Sequence, residues 1–258
     1  MAQSRDEIRN GSEISIIESV EIKADNPVVI CGLPDVGLVG IIAASHIINQ
    51  LKMDEVGYID SELFPPVIVF HQGKPSYPLR IYRKDNLLVV FSETALTPES
   101  AQPLVKAILD WAREKKASLL VSLGGMGMPN RIDIDTPKVY GASSDSAIRD
   151  RIKSNGILLM EEGFLVGPYA IVAKLAMNKG PPDLLLMAES YQQYPDPGAA
   201  AAAIESLKKF IPLELDTKSL IARSEEIRLK ARELMRKTSE SIEKMGKSQE
   251  YELPMMYV

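Results

Sequence analysis

Pro27-Val28-Val29-Ile30-Cys31-Gly32 is followed four residues later by Gly37-Leu38-Val39-Gly40-Ile41-Ile42-Ala43-Ala44-Ser45-His46-Ile47-Ile48. The first segment is a short apolar run closed by glycine, the form of a strand buried on both faces. The second is apolar almost all round, so residues 37–51 read as a core helix packed against a sheet. A buried strand that feeds a buried helix is the repeating unit of an α/β fold.

Outward from this unit the same logic assigns the rest of the chain. Loose alternation with β-branched residues predicts strands over 13–22, 55–60, 67–71, 79–83 and 87–91. Pro65-Pro66 and the stretch 73–78 punctuate them. Strands that follow one another without a helix point to a partly antiparallel section of sheet. In the second half, Thr97-Pro98-Glu99 gives an N-cap, a proline at the first helical position and an acid in the first turn, so a helix is expected over 97–116. A strand over 118–123 should run into a loop at Gly124-Gly125-Met126-Gly127. A strand over 138–142, helices over 144–155 and 169–178, a strand over 184–188 and a helix over 199–210 complete the pattern. Asp196-Pro197 introduces the last of these. Repeated β-then-α units specify a mixed β-sheet covered by helices on both faces.

The composition changes after Pro212. Residues 217–246 are charged and free of internal Gly and Pro, with Leu220, Ile227, Leu234 and Met245 on three- and four-residue steps. Ser224, Ala231, Thr238 and Ser241 fill the other seam positions, a narrow seam suited to lying on a partner or a neighbouring subunit. Residues 247–258 contain Pro254 and have no periodicity, so they are expected to form a mobile tail. The division is thus an α/β core over 1–216, a helical segment over 217–246 and a tail over 247–258.

Composition narrows the function. The 258 residues are 45% hydrophobic and 25% charged, with a formal net charge of -5 and a pI near 5.3. Nucleic acid and anionic membrane draw on a basic excess, so neither is expected as a partner. One cysteine, Cys31, allows no internal disulfide and no Cys-based zinc site. Residues 1–12 carry no apolar signal region, and the apolar stretch 36–48 is too short to span a bilayer. These features predict a cytoplasmic protein.

Five groups of residues could carry chemistry. The Gly124–Gly127 run could present amide N–H groups to a phosphate, but it lacks the Lys-Ser/Thr of a P-loop, and its third glycine opens no helix; the plainer reading is a tight turn after a strand. Asp133 and Asp135 alternate in Arg131-Ile132-Asp133-Ile134-Asp135, which would aim both at one face of an extended segment, paired with Arg131 or solvated. A metal would need more ligands converging there. Cys31 has no histidine placed beside it by any signature. His46 sits in an apolar helix, and His71 at the edge of a loop. No Gly-x-Ser-x-Gly elbow exists, and no catalytic set or cofactor motif emerges.

The fifth group is the end of the chain, Met256-Tyr257-Val258: a hydrophobic residue, tyrosine, any residue, then a carboxylate. Terminal carboxylates are captured by backbone groups or a lysine, and tyrosine supplies a rigid apolar body with a polar tip. Tyrosine is 9 of 258 residues and hydrophobics are 45%, so 9/258 × 0.45, about 0.016, is the chance of this pair at a random end. The non-periodic stretch before it is what a reaching plug needs.

The chain resembles the proteasome assembly chaperone family, especially its archaeal members. The resemblance is carried by Cys31-Gly32-Leu33-Pro34-Asp35-Val36-Gly37-Leu38-Val39-Gly40, Glu62-Leu63-Phe64-Pro65-Pro66 and Leu123-Gly124-Gly125, then by Gly163-Phe164-Leu165-Val166-Gly167-Pro168 and Tyr194-Pro195-Asp196-Pro197-Gly198-Ala199-Ala200. It spans residues 27–220 in family order. The resemblance implies a self-associating α/β protein, a tetramer by preference, related in fold to phosphorylase-like domains. It also implies an ATP-independent, non-enzymatic partner of the proteasome core particle, as chaperone or activator. Met256, Tyr257 and Val258 would insert between adjacent α subunits of the ring, the Val258 carboxylate meeting a pocket lysine and Tyr257 shifting the gate. Two other readings stay open. One is a phosphorylase or nucleoside-hydrolase type of enzyme, with the Gly124–Gly127 loop on phosphate and Asp133 or Asp135 on ribose or base. The other is a scaffold whose 217–246 helix is the contact.

Overall fold

A computed structural model of the chain describes residues 14–178 and 180–246. In chain order the elements are β1 (Ser15–Glu18), β2 (Val28–Gly32), a 3-10 turn (Val36–Leu38), α1 (Val39–Leu51), β3 (Asp54–Asp60), β4 (Val69–His71), β5 (Lys74–Ser76), β6 (Leu79–Lys84) and β7 (Leu87–Ser92). Then come α2 (Pro98–Glu114), β8 (Leu119–Gly127), a second 3-10 turn (Arg131–Asp133), β9 (Val139–Ala142), α3 (Ser146–Ser154) and β10 (Leu158–Leu159). α4 (Pro168–Ala176), β11 (Asp183–Ser190), α5 (Pro197–Leu207), α6 (Lys218–Ala222) and α7 (Ser224–Lys244) follow.

Nine strands form one sheet in the order β1-β3-β6-β7-β2-β8-β11-β9-β10, and β4 and β5 form a separate hairpin. β2 lies parallel to β7 and β8, and β8 parallel to β11. β1, β3, β6 and β7 pair antiparallel in succession, and β9 runs antiparallel to β11. The sheet is therefore mixed: parallel at its centre, antiparallel through β7, β6, β3 and β1 on one side, and on the other side antiparallel at β11–β9 with β10 parallel to β9 at the edge. The central strands carry β-branched and leucine side chains on both faces because both are covered. Ile30, Val89, Val121 and Leu186 point into a core built with α1, α3 and α5. Val29, Cys31, Val90 and Leu185 point into a second core built with α2 and α4. Helices on both faces of a mixed sheet are the expected fold class.

Helix starts follow the local chemistry. Thr97 Oγ1 accepts from the Ser100 amide at 3.2 Å and Ser100 Oγ accepts from the Thr97 amide at 3.0 Å, a reciprocal cap with Pro98 at the first helical position. Asp145 accepts from Ala147 and Ile148 at the start of α3. Asp196 accepts from Ala199 at the start of α5, again ahead of a proline. Among the described residues no helix is long and apolar enough to cross a membrane.

Three expectations need correction. Gly124–Gly127 is not a loop: the run is the second half of β8, with Gly124 opposite Met187 and Gly127 opposite Ser190 of β11. The ladder continues because β11 supplies partners beyond the point where the apolar run stops. Arg131–Asp133 is a 3-10 turn instead of an extended segment, so Asp133 and Asp135 do not share a strand face. The third concerns residues 217–246, which break at Arg223 into α6 and α7. The seam itself is kept, with Leu220, Thr238 and Ser241 buried and Ile227, Ala231, Leu234 and Met245 half-buried against the core, but the surface under it is the chain's own, and Met235 and Ile242 join its buried side. A smaller omission is β5, which contains Pro75 and closes the hairpin with β4 after Gly73, whose φ of 79° suits only glycine well.

Candidate functional site

In open α/β sheets the crevice beyond the carboxyl ends of the parallel strands, where strand order reverses, is the usual ligand site. Here that edge is formed by the segments after β2, β7, β8 and β11. It is filled by the chain's own backbone. Gly125 faces the carbonyl of Val36 and Gly37 faces the Ser190 hydroxyl, each so closely that a Cβ at either glycine would overlap its neighbour. A Cβ at Gly124 would lie 2.8 Å from Met187 Sδ and from Tyr169 Cδ2. Gly37 also takes a left-handed conformation, φ 63°, which lets the 3-10 turn settle onto β8. The glycines therefore serve close packing within the β8–β11 ladder, where a side chain would have no room.

Tyr169 on α4 fixes this turn from the other side. Its hydroxyl accepts from the Leu33 amide at 3.1 Å and lies 3.0 Å from the Leu33 carbonyl and 3.2 Å from that of Cys31. Burial, with the Asp35 carboxylate and Cys31 nearby, keeps the phenol protonated well above its usual range. Arg131 and Asp196 close the site. Nε donates to Oδ2 at 2.8 Å and Nη2 to Oδ1 at 3.2 Å, between side chains 8% and 1% exposed. The Arg131 guanidinium lies 5.0 Å from the Tyr191 ring centroid, and the Asp196 amide donates to the Gly37 carbonyl at 2.8 Å. Finally α7 crosses the whole edge. It packs on the Val36–Leu38 turn and on α2 and α5, Arg228 sits over Tyr191 at 5.8 Å, and the Ser241 hydroxyl donates to the Leu96 carbonyl.

The other candidates are scattered. Cys31 is fully buried and its thiol is pushed up to about 12 by burial alone. His46 on α1 is bonded through Nε2 to the Asp216 carbonyl at 2.9 Å, and burial lowers its pKa. His71 lies on β4, with Nε2 2.9 Å from Glu93 Oε2 and 3.0 Å from Arg80 Nη2. Asp133 and Asp135 are exposed, and Arg131 pairs with Asp196 instead of either. Among the described residues no three His, Cys, Asp or Glu side chains gather as a metal would require. Met256, Tyr257 and Val258 lie outside the described residues.

Sequence reading missed Tyr169 and the Arg131–Asp196 pair. Tyr169 left only its place after Gly167-Pro168 as a signal. Asp196 was visible as a helix cap, but a cap does not announce a guanidinium partner 65 residues away.

Residues 29–235 match the model of the PAC2 family. The chain belongs to the PAC2 family. Of solved PAC2-like structures, PbaA of Pyrococcus furiosus, described as an archaeal homolog of proteasome-assembly chaperone, superposes with a TM-score of 0.81 at 30% identity, over 88% of this chain and 98% of PbaA. PbaB of the same organism, described as an archaeal proteasome activator, has a TM-score of 0.73 at 22% identity over 87% of this chain and 99% of PbaB, a likeness of fold. An uncharacterised protein of Methanocaldococcus jannaschii is 28% identical over 94% of this chain and 98% of its own length. The filled carboxyl edge is thus set in a PAC2 framework.

Proposed function

We propose that this PAC2-family chain is an ATP-independent, non-enzymatic protein that associates with the proteasome core particle as an assembly chaperone or activator. In this reading Met256, Tyr257 and Val258 dock between adjacent α subunits of the ring and promote opening of its gate. The observation that carries it is kinship with PbaA, described as a homolog of proteasome-assembly chaperone, in a chain that reads hydrophobic-tyrosine-any at residues 256–258. Self-association is part of the proposal. A single three-residue plug gives weak affinity, whereas several plugs on one assembly raise avidity by about 10²–10⁴ through effective concentration. A cytoplasmic location follows from the partner.

The carboxyl edge supports the non-enzymatic side. A phosphorylase or nucleoside hydrolase would use the Gly124–Gly127 amides for phosphate, and here those residues pair with β11 beneath the Val36–Leu38 turn and α7. Removing Tyr257 and Val258, or converting the Val258 carboxylate to an amide, tests the docking. Binding to purified core particles should be lost, and unchanged binding rejects the reading.

A further inference from the structure

A cleft of about 540 Å³ opens on the α1 side of the sheet, between the last turns of α1, the strands β6 and β7, and the β4–β5 hairpin. That volume falls within the roughly 300–1,000 Å³ range of clefts that hold small molecules. Its apolar part is Ile48 and Met53 beside the rings of Tyr82 and Phe91, which meet edge to face with centroids 6.3 Å apart. A thioether next to two aromatic rings is a surface that receives a flat apolar body.

The polar part of the lining carries an excess of positive charge. Lys52 and Arg80 stand against Glu93 alone, and His71 adds a third cation when it is protonated. Arg80 is fixed in place: its side chain is 6% exposed, and its guanidinium bonds Glu93, Glu55 and His71 Nε2. Glu55 lies outside the lining with its side chain 46% exposed, so water and salt screen much of its charge. Lys52 makes no ion pair among the described residues. The Ile48 and Asn49 carbonyls, at the negative end of the α1 dipole, already accept from the Met53 and Lys52 amides, which blunts their repulsion of an anion. His71 is tied through Nε2 to Glu93 at 2.9 Å and to Arg80 at 3.0 Å, which leaves Nδ1 for a ligand oxygen. One unpaired lysine suits a single negative charge better than the two of a phosphate, and a cation would meet repulsion.

We propose that this cleft binds a small aromatic carboxylate, its ring against Tyr82, Phe91 and Met53 and its carboxylate at Lys52. Such a ligand binds the chain alone, so the test needs no core particle and is independent of ring docking. Isothermal titration calorimetry of the full chain with 1-naphthoate should give saturable one-to-one binding with a dissociation constant of about 1 mM or tighter. The neutral isostere 1-naphthamide should bind more weakly by about tenfold or more, and inorganic phosphate should not compete. Lys52 caps α1 in the left-handed region, φ 50°, and Lys52→Asn removes the charge while keeping a residue that accepts this backbone. The variant should keep its far-UV circular dichroism and lose about tenfold in affinity for naphthoate, with that for naphthamide unchanged. A second measurement follows the methyl resonance of Met53, assigned by its absence in Met53→Leu, which should shift as naphthoate is added. Equal binding of naphthoate and naphthamide, equal binding of naphthoate by Lys52→Asn and the wild-type chain, or competition by phosphate overturns the carboxylate assignment. Absence of saturable binding, or shifts confined to other methionines, overturns the site.

Discussion

Arg131 holds Asp196 by two parallel hydrogen bonds, 2.8 and 3.2 Å long, and so ties the segment after β8 to the cap of α5. The same carboxylate accepts from the Tyr191 and Ala199 amides, so one side chain organises the turn, the helix start and the ion pair.

Loss of Asp196 should be costly for this reason. Asp196→Ala leaves a buried guanidinium without its carboxylate and α5 without its cap. Breaking a buried pair costs about 3–5 kcal/mol, so urea denaturation should show a loss of that order. A double-mutant cycle with Arg131→Met should return a coupling well above the ordinary surface pair. A loss under about 1 kcal/mol would contradict the assignment.

Gly125→Ala should destabilise by about 1–3 kcal/mol, the usual cost of overpacking. Its new methyl group would meet the Val36 carbonyl, which is backbone and cannot swing aside. Were these residues instead a solvent-facing loop, as the glycine run alone suggests, the substitution would be close to neutral. Denaturant midpoints of the two proteins decide between the cases.

Tyr169→Phe removes one oxygen and little else. The Leu33 amide then loses its partner in the core, at a cost of about 1–3 kcal/mol for an unsatisfied buried donor. A change within about 0.5 kcal/mol would mean that the hydroxyl is not needed to hold the Val36–Leu38 turn.

Stability should also fall on mild acidification through His46. Burial lowers its pKa below the ordinary 6.5 in the folded chain, against the opposing pull of the Asp216 carbonyl and charge. The unfolded chain therefore takes up the proton first. Stability from this group is complete above about pH 6.5 and declines as the pH drops below it. Unfolding free energies at about pH 7.5 and 5.5 should differ, and His46→Gln should flatten that part of the profile. An identical slope in the variant would assign the effect elsewhere.

The fold was legible wherever a local rule decides it. The apolar run before Gly32, the cap at Thr97 and the proline after Asp196 each determine an element without help from distant residues. The glycines at 124–127 misled because the run says only that side chains are absent. The reason, close approach of the Val36 carbonyl and Tyr169, comes from residues far away in sequence. Residues 131–135 misled in the same way, since a two-residue alternation cannot by itself distinguish a strand from a short turn. On α7 the seam was legible in the spacing of Leu234, Thr238 and Ser241, but its partner, the chain's own carboxyl edge and α5, was not, and Met235 and Ile242 widen the buried side. The carboxyl-edge site was almost invisible in advance, being built from pairs such as Arg131–Asp196 and Tyr169–Leu33.

The role proposed for Met256, Tyr257 and Val258 rests on one measurement above others: peptidase activity of latent archaeal core particles toward a fluorogenic peptide, with and without the chain. Full-length protein should raise the activity, and protein lacking Tyr257 and Val258 should leave it at the basal level while keeping its own fold and mass. Equal stimulation by both proteins, or no binding of the full-length chain to the ring, would contradict the account.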